Sequence, residues 1–297
     1  MQQPPTSVNQ WIDQRSWLKS REGASLIFTE VSDIFAQINE NLLQRLDFLG
    51  FTPSRILQIG AWDGRFALQL SERYPQAQLS VLEMASGFVA LARQNIEKSN
   101  KNNLINVFEW ASGPFPAMDG SADLVICPLS LPPYMHWEGF LAEVRRVLQP
   151  RGYLSISTLG ARSLEELRSV ADQAAEPSHL HDFIDIQSLG MALVTAGLTD
   201  PVVDGERVQF TYRSMAALRR DLKCFGMSNN RQDRRRCLHK SENLANLSKS
   251  GSAFLVPNLS VEVLYAQGFA PTGAPPKKVM RTEQVLPFPT RSKPSPG

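Results

Sequence analysis

The sequence has few cysteines and no long apolar run, and each absence excludes a class of protein. Its three cysteines, Cys127, Cys224 and Cys237, have neither the number nor the spacing of a disulfide framework or a metal site. No apolar stretch approaches the roughly 20 residues that span a bilayer. The first residues lack the basic and apolar regions of a secretory signal. We therefore expect a cytoplasmic protein that does not enter a membrane.

The chain also has little net charge. Its 31 Lys and Arg residues against 29 Asp and Glu leave +2 over 297 residues, which is too little by itself to indicate nucleic-acid binding. Apolar residues make up 42% and charged residues 20%, an ordinary composition for a globular protein. A chain of this length can bury a full core and forms one or two domains.

Short apolar runs alternate with amphipathic segments along the first half of the chain. Strands are predicted over residues 55–59, 78–83, 104–110, 122–127 and 153–158. Helices are predicted before, between and after them, over residues 34–49, 66–73, 88–96 and 140–148. This alternation predicts an α/β fold, in which a mostly parallel, twisted sheet carries helices on both faces.

The two ends of the chain differ from this pattern. Residues 1–31 form a predicted N-terminal segment that is only partly ordered, with residues 1–20 loosely structured. The main domain spans residues 32–268 and includes a C-terminal extension from about residue 159. That extension has predicted helices over 164–175, 186–197 and 215–225 and an edge strand over 201–212. The tail, residues 269–297, is rich in proline and basic residues and is predicted to be disordered.

A glycine turn follows the first predicted strand in RILQIGAWDGRFALQL, residues 55–70. Gly60 and Gly64 would let the backbone approach a ligand at the start of a helix, where free N–H groups lie. Glu83 ends the second predicted strand, close to the distance expected for an acid that binds ribose hydroxyls. The alternative is that the glycines only form a tight turn and that Glu83 is solvated.

These residues resemble the first motif of the class I S-adenosylmethionine-dependent methyltransferases. Residues 157–168, 179–204 and 210–230 resemble, more narrowly, the malonyl-acyl-carrier-protein O-methyltransferases of biotin synthesis. The resemblance covers about residues 26–268. It implies a Rossmann-like fold, S-adenosylmethionine as cofactor held by Gly60, Gly64 and Glu83, and methyl transfer to the free carboxylate of a malonyl thioester.

Three positions depart from the family pattern. Gln58 and Ala111 stand where the family has acids, and Trp62 replaces the middle glycine of the turn. Gln58 can still accept a hydrogen bond, whereas Trp62 either stacks on the ligand or, as its size favours, fills the pocket. A second hypothesis is therefore a noncatalytic protein on a methyltransferase fold that acts through partners. A third is hydroxylation of an arginine on a protein partner, as in a sister branch of complex I assembly factors.

Other residues complete the predicted site. Leu129, Tyr134 and His136 follow the fourth strand and are candidates for a substrate pocket. Arg234, Arg235 and Arg236 form a basic run that would bind an acidic acyl-carrier protein or another acidic protein, although a solvated loop is equally compatible. Aromatic residues do not interleave with these arginines, so nucleic acid is disfavoured. His179 and His181 lack further ligands nearby, and no metal site is predicted.

Overall fold

Most of the chain is described by a computed structural model. The described residues are 13–28, 32–101, 104–131, 137–166, 183–212, 214–224 and 258–273.

A seven-stranded sheet forms the centre of the molecule, with strand order β3-β2-β1-β4-β5-β7-β6. The strands are β1 (Arg55–Ile59), β2 (Gln78–Glu83), β3 (Ile105–Glu109), β4 (Ala122–Pro128), β5 (Leu148–Leu159), β6 (Thr199–Thr211) and β7 (Asn258–Phe269). The first five are parallel, and β7 runs antiparallel to both β5 and β6. The predicted α/β fold is therefore confirmed, and the order reverses between β1 and β4.

Helices cover the sheet. They are α1 (Gln14–Ser25), α2 (Ser32–Gln44), α3 (Arg65–Arg73), α4 (Ser86–Lys98), α5 (Trp137–Val147), α6 (Ile186–Thr195) and α7 (Met215–Cys224). Apolar side chains pack in separate clusters, of which one contains Leu79 and Leu124 and another Leu57 and Val125. Neighbouring residues of a strand fall into different clusters because successive side chains point to opposite faces.

The elements of the first half agree with the predicted ones to within a few residues, except that β5 begins at Leu148 and includes the predicted stop at residues 150–152. The predicted helix over 34–49 is shorter, because α2 ends at Gln44 and a 3-10 turn, Arg45–Phe48, follows it. The prediction of loose structure over residues 1–20 is wrong for residues 14–20, which belong to α1. The Asp13 side chain caps this helix by accepting a hydrogen bond from the backbone N–H of Ser16. Most of the predicted helix over 164–175 and of the tail lies outside the described residues.

The extension completes the sheet in a way that the sequence pattern did not predict. Strand β7 lies between β5 and β6, and its pairing with β6 runs from Thr199 opposite Phe269 to Thr211 opposite Asn258. The segment that was predicted as an edge strand, residues 201–212, is indeed the outer strand. Strands β1, β2 and β4 are parallel neighbours, so their carboxyl ends lie at one edge of the sheet, and the glycine turn that follows β1 lies at this edge.

None of the described helices is both long and apolar enough to span a bilayer.

Candidate functional site

The glycine turn lies directly after β1 and is tied to its neighbours. Gly60 adopts φ +92°, and its N–H donates to the carbonyl oxygen of Leu82 at 2.7 Å. A Cβ at Gly60 would lie 1.9 Å from the Ser130 Oγ, so the loop after β4 crosses the turn closely. Gly64 adopts φ +82° immediately before α3, and a Cβ there would lie 3.0 Å from the Ala92 Cα. Both positions therefore require glycine for backbone conformation and for space.

Glu83 ends β2 beside this turn, and both of its carboxylate oxygens accept several hydrogen bonds. The Arg21 guanidinium of α1 donates from Nε to Oε1 at 2.9 Å and from Nη2 to Oε2 at 2.7 Å. Backbone N–H groups of Met84 and Ala85 donate to Oε1, and that of Ala61 donates to Oε2. The carboxylate that was predicted to bind a ligand is thus saturated by the chain itself.

The electrostatics of Glu83 follow from these contacts. Burial by itself raises the carboxyl pKa, but the opposite charge of Arg21 and the backbone N–H groups of Ala85 and Ala61 outweigh it. The net pKa lies below the usual value, so Glu83 is ionised at neutral pH. Its negative charge is compensated by one buried cation, as a buried ion requires.

Trp62 fills the space beside the glycine turn. Its indole Nε1 donates to the carbonyl oxygen of Pro128 at 2.8 Å, and the residue is buried. Its ring contacts Phe28, Phe35 and Phe88 at centroid distances of 5.3, 4.4 and 5.3 Å. The φ of +48° is unusual for a bulky residue and is held in place by this packing.

Gln58 points into the same turn from β1. Its Nε2 donates to the carbonyl oxygen of Gly60 at 2.7 Å, whereas its buried Oε1 has no hydrogen-bond partner among the described residues. A ligand amine could donate a hydrogen bond to this unpaired amide oxygen. Gln58 is fully buried, however, so a ligand cannot reach this oxygen without movement of the turn.

Little open volume remains between the described residues at this edge. The cavity lined by Gly60, Glu83 and Ser130 measures about 10 Å³, which is about the space that one water requires. Trp110, at the end of β3, also lines it and packs its ring on Phe115 at 5.2 Å. Ligand pockets usually measure about 300–1,000 Å³.

A larger groove lies elsewhere, between α4 and the outer strand β3. It measures about 390 Å³, and Arg93 in its wall donates to the carbonyl oxygen of Val107 at 2.7 Å. It contains none of the predicted site residues.

Of the remaining predicted residues, the structure describes Ala111 and Leu129, and Leu129 packs, partly buried, against the cluster that contains Trp62. Ala111 is exposed after β3, and Leu129 follows β4 with φ +50° and its N–H bonded to the Ser157 carbonyl oxygen. The other predicted pocket and partner residues lie outside the described part of the chain: Tyr134, His136, Arg234, Arg235 and Arg236. Their roles remain predictions.

Cys127, near the end of β4, does not have the lowered pKa of a nucleophilic cysteine. Burial raises the pKa of the Cys127 thiol to about 12, so the thiol stays protonated. Within the described ranges, no group of three or more His, Cys, Asp or Glu side chains could hold a metal ion. His179 and His181 lie outside those ranges.

Sequence reasoning missed the contribution of α1. Arg21 and Glu22 are consecutive residues of this helix, and Glu22 accepts hydrogen bonds from the backbone N–H groups of Ser86 and Gly87 at 2.6 and 2.8 Å. No local signal identifies these contacts, because they join α1 to elements more than 60 residues away.

The strand order, the antiparallel β7 and the glycine turn before α3 define the class I methyltransferase fold. Two solved structures share it. The YcgJ protein of Bacillus subtilis has a TM-score of 0.55, with 79% of this chain and 99% of that chain covered at 15% identity. A Bacillus halodurans protein described as a methyltransferase has a TM-score of 0.53, with the same coverage and identity. A family described as a methyltransferase domain matches residues 56–152.

Comparison with curated relatives narrows the class. The malonyl-[acyl-carrier protein] O-methyltransferase of Laribacter hongkongensis is 28% identical over 94% of this chain and 96% of its own length. Malonyl-[acyl-carrier protein] O-methyltransferase 1 of Coxiella burnetii is 33% identical over 75% of this chain and 74% of its own. The malonyl-[acyl-carrier protein] O-methyltransferase of Xylella fastidiosa is 31% identical over 80% of this chain and 82% of its own length. The chain belongs to the malonyl-[acyl-carrier protein] O-methyltransferase family.

This family implies S-adenosylmethionine as cofactor, and the conformation described here does not fit it. Glu83 is already paired with Arg21, Trp62 fills the turn, and the cavity holds about one water. An adenosyl group would need at least the Arg21 side chain to leave its place.

Proposed function

We propose that this chain acts on the malonyl thioester of an acyl-carrier protein, and that O-methylation of the free carboxylate is its activity. The observation that carries this proposal is the match to relatives with that name across nearly the whole of both chains. The retained Gly60, Gly64 and Glu83, at the edge where the strand order reverses, support it.

The acceptor chemistry makes few demands on the protein. A malonyl carboxylate is ionised near neutral pH and is itself the nucleophile, so no general base is needed. The main task of the protein is to place that oxygen in line with the bond to be broken. Methylation removes the negative charge, so that the acyl chain can be elongated as a neutral one on the way to biotin.

The partner follows from the same proposal. An acyl-carrier protein is acidic, and the run containing Arg234, Arg235 and Arg236 would attract it by long-range electrostatics. This reaction would take place in the cytoplasm, where we expect the chain to reside.

A second candidate function is a noncatalytic one, in which the chain binds protein partners and transfers no methyl group. The saturated Glu83 carboxylate and the buried Trp62 specifically favour it. The two candidates differ in whether a methyl ester forms.

The deciding experiment incubates the purified chain with malonyl-carrier protein and S-adenosylmethionine, and follows the mass of the carrier. We expect a methyl ester that requires both the chain and the malonyl group, with acetyl-carrier protein as the control that lacks a free carboxylate. A second control is Glu83→Ala, which removes the acid at the end of β2. If no ester forms while the chain still binds malonyl-carrier protein, the noncatalytic candidate replaces the first.

A further inference from the structure

Two adjacent residues of α1 occupy the edge of the sheet at which a cofactor is expected. Arg21 forms a forked ion pair with Glu83, and both side chains are buried. Glu22 accepts the N–H groups of Ser86 and Gly87, the first residues of α4, and also the Ser86 hydroxyl at 3.1 Å. A helix of twelve residues is thereby anchored by two charged side chains of opposite sign.

One of the two positions that these side chains take, the acid at the end of β2, is where a nucleoside ligand binds in a doubly wound sheet, and the other, the start of α4, offers free N–H groups beside it. An acid at the end of the second strand binds ribose hydroxyls, and free N–H groups at a helix start bind polar or anionic groups. Here the acid, Glu83, has received a cation, and the N–H groups of α4 have received a carboxylate. Each of these two α1 side chains is complementary in charge to the position that it fills.

The aromatic residues around Arg21 complete the match. Its guanidinium carbon lies 4.0 Å from the ring centroid of Trp62 and 4.9 Å from that of Phe88. A planar, delocalised cation stacks on such faces much as a base would. Phe28, which follows α1, stacks on Trp62 at an interplanar angle of 20° and closes the cluster from the same end of the chain.

We propose that α1 is an internal ligand of this edge, and that an adenosyl compound binds only by displacing it. The inference rests on the proposed function only for the identity of the ligand, an adenosyl compound. It does not require that the chain transfers a methyl group. Because α1 and the ligand would compete for Glu83, only molecules in which α1 is released can bind the ligand. The apparent affinity is therefore the intrinsic affinity multiplied by the fraction of such molecules.

The test measures binding of S-adenosylhomocysteine by calorimetry to the full chain and to Arg21→Met. Methionine keeps an unbranched, flexible side chain but removes the charge, so Glu83 retains only its backbone donors. We expect Arg21→Met to bind at least tenfold more tightly than the unchanged chain. Lys19→Met is the matched control, because Lys19 is an exposed cation of the same helix; its affinity should equal that of the unchanged chain.

Amide hydrogen exchange supplies an independent readout. Saturating S-adenosylhomocysteine should speed exchange in residues 14–25 of the unchanged chain and leave β1 and β4 protected. Arg21→Lys keeps a cation beside Glu83, so its affinity should lie between those of the unchanged chain and Arg21→Met. It serves as the folded reference if Arg21→Met is unstable. Trp62→Gly separates the two obstacles, since it opens the turn and leaves the ion pair in place.

Several results would overturn the proposal. These are equal affinities of Arg21→Met and the unchanged chain, tight binding to the unchanged chain with α1 still protected, and absence of binding in both. A gain in Trp62→Gly alone would make Trp62 the obstacle in place of α1. Failure of methyl transfer together with tighter binding by Arg21→Met would count against the proposed function only.

Discussion

Two buried arginines, Arg21 and Arg146, use the same chemistry in different ways. Arg146 donates to the carboxylates of Glu143 and Asp119 and to the carbonyl oxygens of Ala117 and Phe115, at 2.7–3.2 Å. All four acceptor residues lie within 31 positions of Arg146 in the sequence. Arg21 donates to Glu83 alone among the described residues, and that partner is 62 positions away.

This difference indicates that the ion pairs of Arg146 and of Arg21 have different roles. Arg146 satisfies the backbone of the loop before β4, so removing it exposes several orphaned acceptors at once. Arg21 donates two hydrogen bonds to Glu83 and stacks its guanidinium on the Trp62 ring, and Glu83 keeps three backbone donors without it. One arginine therefore holds the fold together, and the other holds a helix onto a site.

The largest expected effect is on Arg146. Arg146→Met should lower the free energy of unfolding by about 3–5 kcal/mol, because it leaves a buried carboxylate and two carbonyl groups without their cation. Urea denaturation followed by circular dichroism measures this. A loss below about 1 kcal/mol would mean that the local network rearranges, and the contrast with Arg21 would fail.

The second largest effect is expected on acidification, which should weaken the attachment of α1 before it affects the sheet. The pKa of Glu83 is lowered in the folded chain, so its contribution to stability is complete above the unfolded value of about 4.3 and is lost as pH falls through the folded value. Below about pH 4.3 we expect α1 to lose protection against hydrogen exchange before β1 and β4 do.

The control for this pH dependence is Glu83→Gln, which cannot titrate. Its α1 protection should be weaker at neutral pH and should fall less over the same range than that of the unchanged chain. Simultaneous loss of protection in α1 and the sheet would contradict the view of α1 as a separable element.

The smallest effect is expected one residue before Arg146. Arg145 is buried too, but it reaches only the Gly273 carbonyl oxygen, at 3.5 Å, and its Nη1 has no partner among the described residues. Burial also lowers its pKa, because the charged form is poorly solvated. Arg145→Met should change the free energy of unfolding by no more than about 1 kcal/mol, measured in the same urea titration. A loss as large as that of Arg146→Met would show that charge alone, without matched acceptors, sets the cost.

The sequence allowed the first five strands to be predicted, because each is a short apolar run bounded by turn residues. Gln78–Glu83 agrees to the residue. The position of β7 could not be predicted in this way, since its partners β5 and β6 are chosen by long-range pairing and not by local pattern.

The site was partly predictable for the same reason. Gly60, Gly64 and Glu83 lie in consecutive strand and turn segments, so their spacing indicated a common edge, and the size of Trp62 favoured filling of the pocket. Arg21 belongs to a segment with no strong apolar face, and nothing in its neighbours identifies Glu83 as its partner. Contacts between distant segments are the part that one sequence does not display.

The placement of β7 between β5 and β6 also bears on how the molecule is made. A growing chain emerges from the ribosome with β6 before β7, and among the described strands β6 pairs with β7 alone. The five parallel strands can associate while synthesis continues, whereas β6 waits for the last strand to arrive and bridge it to β5. Strands β6 and β7 therefore join the sheet only after translation of residues 258–269, and a chain stopped short of them would leave the outer edge of β5 unpaired.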